Sequence, residues 1–241
     1  MSIAVPSLWL PHIASPFKKN SKLTYAQTVL QDGPVGYWRL QETSGTTAED
    51  SSGNGNPGTY TGGFTLGQTG PFGTETGVLF NGSTGYVTVP SNSELQLTSP
   101  FSLEMWSKIT TLSETNTYIL DKDNDYAVIY GYSTDNYAFY SLASGAPSDS
   151  TTTIPAPDTN WHYISITYDG TTMLGYRDAT QIFSVAATFT CGVTTDPLTL
   201  ACTSATGVLT GFFGGTLAEC AIYAKALSPT RIAAHYAASG L

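Results

Sequence analysis

The stretch GVLFNGSTGYVTVP, residues 77–90, limits the folds open to this chain more than any other. Val78 and Phe80 alternate with small or neutral neighbours, Asn81, Gly82, Ser83, Thr84 and Gly85 tolerate a tight reversal, and Tyr86, Val87 and Val89 resume an extended apolar pattern. The expected structure is a hairpin in the middle of an antiparallel sheet. Segments of the same character recur on both sides. Phe101, Leu103 and Met105 alternate with Ser102, Glu104 and Trp106, which sends one face into a core and Trp106 to the other. Residues 118–120 and 126–132 pair across Asp121-Lys122-Asp123-Asn124-Asp125, and residues 136–142 add a strand. Residues 161–168 turn at Asp169-Gly170 into 173–177, residues 178–181 reverse the chain again, and 198–201 and 215–223 supply the last strands. The class is all-β.

Two short helices punctuate this pattern. Thr24 with Gln27 has capping-box spacing and starts a helix that runs to about Leu30, which Asp32-Gly33-Pro34 ends. Ser228 caps the second, Pro229 takes its first position, Leu227 staples onto Ile232, and Gly240 closes it. Residues 35–40 form the first strand, and the polar run 41–63 is expected to be a structured loop. At 241 residues the chain is long enough for one large domain with its own core. Only 11% of it is charged, so its surface is neutral and polar.

Residues 1–23 show neither strand nor helix periodicity, and Pro6, Pro11 and Pro16 favour an extended path. They form a basic arm ahead of a domain at 24–241. Trp9, Leu10, Ile13 and Phe17 give that arm apolar anchors beside Lys18 and Lys19. Such anchors suit docking on a partner or a neighbouring subunit; folding back on the chain's own domain is the alternative. The net charge is −9, yet residues 25–241 hold six of the nine basic and all 18 acidic residues, a balance of −12. An acidic body argues against nucleic acid as ligand. No apolar run approaches the ~20 residues of a membrane helix. The lysines follow the apolar part of the N-terminus and prolines interrupt it, which makes a poor signal peptide. Cys191 and Cys202 flank a turn-like segment and are placed to face each other across a hairpin, with pairing left open, while Cys220 is an apolar filler.

Six of the 15 tyrosines lie between positions 118 and 140. Tyr130, Tyr132, Tyr137 and Tyr140 are candidates for sugar stacking or a subunit interface, against ordinary strand preference for tyrosine. Asp121, Asp123 and Asp125 alternate like the start of a calcium loop, but Tyr126 and Tyr132 stand where its Gly and Glu belong, so a polar turn fits better. His12, His162 and His235 suggest no triad.

Taken in order, YWRLQETSGTTAEDSSGNGNPGTYTGG, GVLFNGSTGYVTVP, FSLEMWSKI, WHYISITYDGTT and GGTLAECAIYAKALSPTRI resemble the laminin G-like branch of the concanavalin A-like lectin and glucanase superfamily. The resemblance spans residues 25–241 and implies a jelly-roll sandwich of two antiparallel sheets, with the terminal helix packed beside the first strand. It implies no single function. The YWRL opening and SGNGN loop look most like domains of tailed-bacteriophage structural proteins. The leading expectation is therefore a non-enzymatic virion-surface protein, decorating capsid or tail through its arm and touching host glycans, with a homo-oligomer such as a trimer in view. A carbohydrate-binding or adhesion module, extracellular rather than virion-borne, is the alternative, and a glycoside hydrolase a distant third. The E-x-D-x-x-E pattern of the superfamily's glucanases is missing, since Glu104 and Glu219 each stand alone in their strands. No cofactor is required, although the resemblance implies an optional calcium ion held by Asp50, Asn54 and Glu219. The family's Asp-Glu pair reads Ala218-Glu219 here, one carboxylate short.

Overall fold

Alternation along the strands sorts the side chains into two apolar layers in the computed structural model, which describes residues 23–110, 116–123, 125–131, 136–156, 158–205 and 207–241. In chain order the elements are α1 (Tyr25–Leu30), β1 (Gly36–Trp38), β2 (Thr47–Ala48), β3 (Gly58–Thr61), β4 (Phe64–Thr69), β5 (Thr76–Asn81), β6 (Tyr86–Val89), β7 (Phe101–Ile109), β8 (Thr117–Lys122), β9 (Tyr126–Tyr130) and β10 (Asn136–Tyr140). They continue with β11 (Thr153–Pro155), β12 (Trp161–Tyr168), β13 (Thr172–Arg177), β14 (Thr180–Ala186), β15 (Leu198–Leu200), β16 (Thr203–Ala205), β17 (Val208–Thr210), β18 (Gly214–Tyr223) and α2 (Pro229–Ser239). The first sheet runs β14-β13-β12-β7-β18-β5-β4, with β1 also on β18, and the second β11-β10-β9-β8-β15-β6-β3-β2. Every pairing between these strands is antiparallel, as a jelly-roll sandwich requires.

The inner layer fills the space between the sheets with Phe101, Leu103, Met105, Ile164 and Ile166 from one side and Tyr126, Val128 and Phe139 from the other. The outer layer lies on the opposite face of the first sheet, where Trp106 and Tyr163 meet Tyr25, Val29, Leu227 and Ile232 of the helical segments. The first sheet is thus covered on both sides, and nearly all of β7 is buried. Both helices carry the expected caps. The backbone N–H of Gln27 donates to Thr24 Oγ1 at 3.2 Å while that of Thr24 donates to Gln27 Oε1 at 3.0 Å. Ser228 Oγ accepts from the N–H of Arg231 at 3.3 Å, and Gly240 ends α2 at φ 87°.

Residues 77–90 are not a hairpin. β5 pairs with β4 and β18 in the first sheet, whereas β6 pairs with β3 and β15 in the second, so residues 81–85 carry the chain from one sheet to the other. The turn residues permit this because the loop is satisfied locally. Asn81 Oδ1 accepts from the N–H groups of Ser83, Thr84 and Gly85 at 3.0, 2.9 and 3.1 Å, and its Nδ2 donates to Thr84 Oγ1 at 3.0 Å. The loop rests on Gly62 (φ 74°), where an added Cβ would lie 1.8 Å from the Thr84 carbonyl oxygen. Residues 41–63 also differ from the expected loop, because they contain β2 and β3. Cys191 and Cys202 are not opposed in a hairpin, since β15 lies between β6 and β8, and all three cysteines are free and buried. The anchors of the arm, Trp9, Leu10, Ile13, Phe17, Lys18 and Lys19, lie outside the described residues.

Candidate functional site

Several connections meet at one end of the sandwich: the 81–85 crossover, the end of β7 at Thr110, the start of β8 at Asn116 and Thr117, and the approach to β18. Together they enclose a groove of ≈ 710 Å³. The run Gly211-Phe212-Phe213-Gly214 shapes it by splitting its two rings. Phe213 is fully buried against Tyr130, whereas Phe212 stays half-buried on the groove wall, its ring centroid 6.2 Å from that of Tyr86. The backbone is pinned on both sides of Phe212, because Tyr118 N donates to Gly211 O at 2.8 Å and Phe213 N to Ala201 O at 2.9 Å. Around that ring stand the uncharged polar side chains of Asn81, Ser83, Thr110, Asn116 and Thr117. No Asp, Glu, His, Lys or Arg lines the groove among the described residues. Such a surface can stack on an apolar face and exchange hydrogen bonds with hydroxyls, but it offers no proton-transfer group. Sequence reasoning passed over Phe212; adjacent aromatics between glycines, one facing in and one out, are the signal that marks it.

Of the tyrosines singled out for glycan contact, Tyr130 and Tyr137 are buried and Tyr140 lies away from the groove. Tyr130 (2% exposed) and Tyr137 (0%) face the inner layer with ring centroids 5.5 Å apart, and Tyr137 Oη bonds Ser107 Oγ at 3.3 Å. Tyr130 borders the groove, but at these exposures neither ring has a face free for a sugar. Tyr140 lies on the outer face of the second sheet, edge-on to Tyr118 at 6.2 Å. Tyr132 is outside the described residues.

The three residues considered for calcium hold the fold instead. Asp50 accepts the N–H groups of Tyr37, Ser52 and Asn56 at 3.0, 2.9 and 2.9 Å and the Ser52 hydroxyl at 2.8 Å. Asn54 Nδ2 donates to the carbonyls of Pro34 and Val35, both at 3.1 Å. Glu219 sits at a bulge of β18 with φ 54° and accepts from Tyr37 Oη, Gln41 Nε2 at 2.7 Å and Arg39 Nε at 3.3 Å. Burial pushes its carboxyl up to about 7, with Arg39 and the Tyr37 hydroxyl pulling the other way. Asp50 therefore holds the backbone end of Tyr37 and Glu219 its phenol end. The Asp50 and Glu219 oxygens, so occupied by N–H and O–H donors, do not fit a calcium ion. Among the described residues no group of three or more His, Cys, Asp or Glu has ligand geometry.

Glu104 is buried under α2, where it accepts from Tyr163 Oη, from Tyr223 Oη at 2.7 Å and from His235 Nδ1 at 2.9 Å. His235 Nε2 bonds Asp32 at 2.8 Å, and Arg231 Nε reaches the same carboxylate at 2.6 Å. Neither Glu104 nor Glu219 opens onto a groove, so the two do not form a glycosidase pair.

Solved structures share this architecture at low sequence identity. Domain 4 of AbnA, an extracellular arabinanase of Geobacillus stearothermophilus solved in complex with arabinotriose, is 17% identical with a TM-score of 0.63, over 84% of this chain and 98% of that one. The binding domain of Paraclostridial Mosquitocidal Protein 1 is 14% identical with a TM-score of 0.64 over 86% of this chain. A botulinum neurotoxin type C structure, from work on cell entry dependent upon two ganglioside molecules, is 15% identical with a TM-score of 0.65 over 87% of this chain. This chain spans about half of each of the latter two, 52% in both cases. No curated protein matches it. A laminin G-type family profile matches residues 81–233, well over half of the sequence. With that match and the two-sheet architecture in agreement, the chain belongs to the concanavalin A-like lectin/glucanases superfamily.

Proposed function

We propose that this protein is a non-enzymatic, lectin-like recognition module that takes a neutral oligosaccharide in the groove beside Phe212. The observation that carries this is the lining: one half-exposed aromatic ring among uncharged hydrogen-bonding side chains, with no titratable group among the described residues. An acidic chain of net charge −9 also repels anionic sugars, which favours neutral ones. The arabinotriose complex of the AbnA domain and the ganglioside dependence of the type C toxin support sugar recognition on this fold. Calorimetry against neutral and sialylated oligosaccharides tests it. Binding of a neutral class that falls at least tenfold in Phe212→Ala, about 1.4 kcal/mol, with Tyr137→Ala offering no comparable ligand contact to lose, is the expected result. Tight binding that ignores Phe212 refutes it.

The setting we favour for this module is the surface of a tailed-bacteriophage virion, with residues 1–23 fastening it to capsid or tail proteins. The specific observation is the composition of that segment: Trp9, Leu10, Ile13 and Phe17 beside Lys18, Lys19 and Lys22, with no acidic residue. Co-sedimentation of the full chain with particles from its source lysate, weakened by Lys18→Glu/Lys19→Glu, supports this setting. Equal pelleting of both proteins counts against it.

A further inference from the structure

A second concavity, ≈ 320 Å³, lies beyond the turn between β8 and β9. Its rim carries Leu142 and Val193, which at 71% and 78% exposed are the two most exposed large apolar side chains among the described residues. Asp123 and Asp125 line it, and Asp196 adjoins them through Thr194 Oγ1, whose single proton has Asp123 at 3.1 Å and Asp196 at 2.9 Å as its acceptors. The nearby cation offsets this surface only in part: the Lys122 charge pulls the Asp123 and Asp125 carboxyls down, yet both stay raised. Lys122 is fully buried, and its Nζ turns inward to Ser91 Oγ at 3.0 Å, the Thr194 carbonyl at 3.3 Å and the Asp196 carbonyl. Partial burial raises the carboxyls of both Asp123 and Asp125, a penalty that an incoming ammonium relieves. Two isolated leucine-sized groups beside acids call for an occupant that is both apolar and basic.

The chain itself contains one such segment, Phe17-Lys18-Lys19. Its own domain is hard for it to reach. α1 packs near the middle of β7, with the Tyr25 and Trp106 rings 6.4 Å apart on the outer face of the first sheet. The pocket lies past the other end of β7, where the Phe101 and Tyr126 rings meet at 6.3 Å, and belongs to the second sheet. Two layers at ~10 Å each and five residues at ~3.3 Å separate Tyr25 from the pocket by roughly 25 Å through the body of the domain. The eight residues from Phe17 to Tyr25 span at most ~29 Å when fully extended. The straight line alone takes up most of that reach, before any detour around the surface.

We propose that the Leu142–Val193 pocket receives Phe17-Lys18-Lys19 from a second copy of the chain, so that each domain is strapped to a neighbour. This rests on the reading of residues 1–23 as an anchor and gives its Phe17-Lys18-Lys19 portion a second copy of the chain, rather than a capsid or tail protein, as receptor. Sedimentation velocity of the full-length protein at rising concentration is the test. The wild type should self-associate, while Lys18→Glu/Lys19→Glu and Leu142→Glu/Val193→Glu should each do so at least tenfold more weakly. The altered positions are surface ones at the pocket, so a matching thermal melt for the second variant confirms its fold. Mixing the two variants should restore a one-to-one complex, because one keeps the pocket and the other the arm. A monomeric wild type, unaffected variants or a mixture that fails to associate would each overturn the proposal. Particle co-sedimentation separates the two ideas: if self-association fails but Lys18→Glu/Lys19→Glu still abolishes pelleting, the pocket falls and the anchor stands.

Discussion

Replacing His235 by Ala removes the group that joins α2 to the sheet and to α1. His235 is fully buried with Nδ1 against Glu104 and Nε2 against Asp32, two carboxyls that favour the doubly protonated, doubly donating ring. Burial alone would lower its pKa, but Glu104 and Asp32 outweigh that and raise it above the ordinary histidine value. Without the ring, Glu104 keeps only the hydroxyls of Tyr163 and Tyr223 as donors among the described residues, in a fully buried position. Orphaning one member of a buried ion pair costs about 3–5 kcal/mol. At about 2–4 °C per kcal/mol for a domain of this size, Tm should fall by roughly 10 °C. The pH dependence has a definite sign. A histidine whose folded pKa is raised contributes fully below its unfolded value of about 6.5, and the contribution disappears as pH climbs through the folded value. Burial works against the Asp32 carboxylate, yet bonds from Arg231 and His235 hold its pKa below the usual 3.8, so its share is present above that value and fades as pH falls through the lowered one. The gap between wild type and variant should therefore be widest from about pH 4 to 6.5. Glu104→Gln/His235→Ala should melt above His235→Ala alone, because the stranded carboxylate is gone. Scanning calorimetry across this range is the assay. A His235→Ala protein within about 2 °C of wild type at pH 6, less than about 1 kcal/mol, or a double variant lower still, would refute the reasoning.

Glu219→Gln should change the shape of the stability profile rather than its height at low pH. With the folded carboxyl up at about 7 against an ordinary 4.5, the wild type loses stability as pH rises through that interval and the glutamine variant does not, which parallel melting curves would contradict. Asn81→Ala removes the acceptor for three backbone N–H groups in the crossover loop. It should cost about 1–3 kcal/mol, visible as a shifted urea midpoint at unchanged slope. No shift would mean that water replaces the side chain without loss.

The local features legible in the sequence are those whose causes are local. Thr24 and Gln27, Ser228 and Pro229, and the Asp169-Gly170 turn act through partners a few residues away, and the helices and the β12–β13 pair appear where they point. The 81–85 loop was misread for the same reason: Asn81 satisfies its own backbone, so nothing in those five residues records whether the next strand joins the same sheet or the opposite one. The Tyr126–Tyr130 strand alternates Tyr, Val, Tyr with Ala and Ile, apolar on both faces, so its period carries no sign and the tyrosines could be assigned outward. Asp32, Glu104 and His235 are scattered over 203 residues and meet only through packing of α2 on the sheet, which no spacing announces. Phe212 belongs to this second kind, because its role depends on which of two neighbouring rings the core accepts.

β18 has a consequence for how this protein is made. It lies in the middle of the first sheet, hydrogen-bonded to β7 along one side and to β5 and then β1 along the other, although it follows β7 by more than 100 residues in the chain. A nascent chain emerging from the ribosome therefore exposes β5 and β7 as open edges until residues 214–223 appear. Pairing of such long sequence separation is slow, and unpaired edges invite association with other chains. Loss of the final strand and helix would take out the keystone of the sheet rather than trim its margin, and leave two half-sheets with no common neighbour.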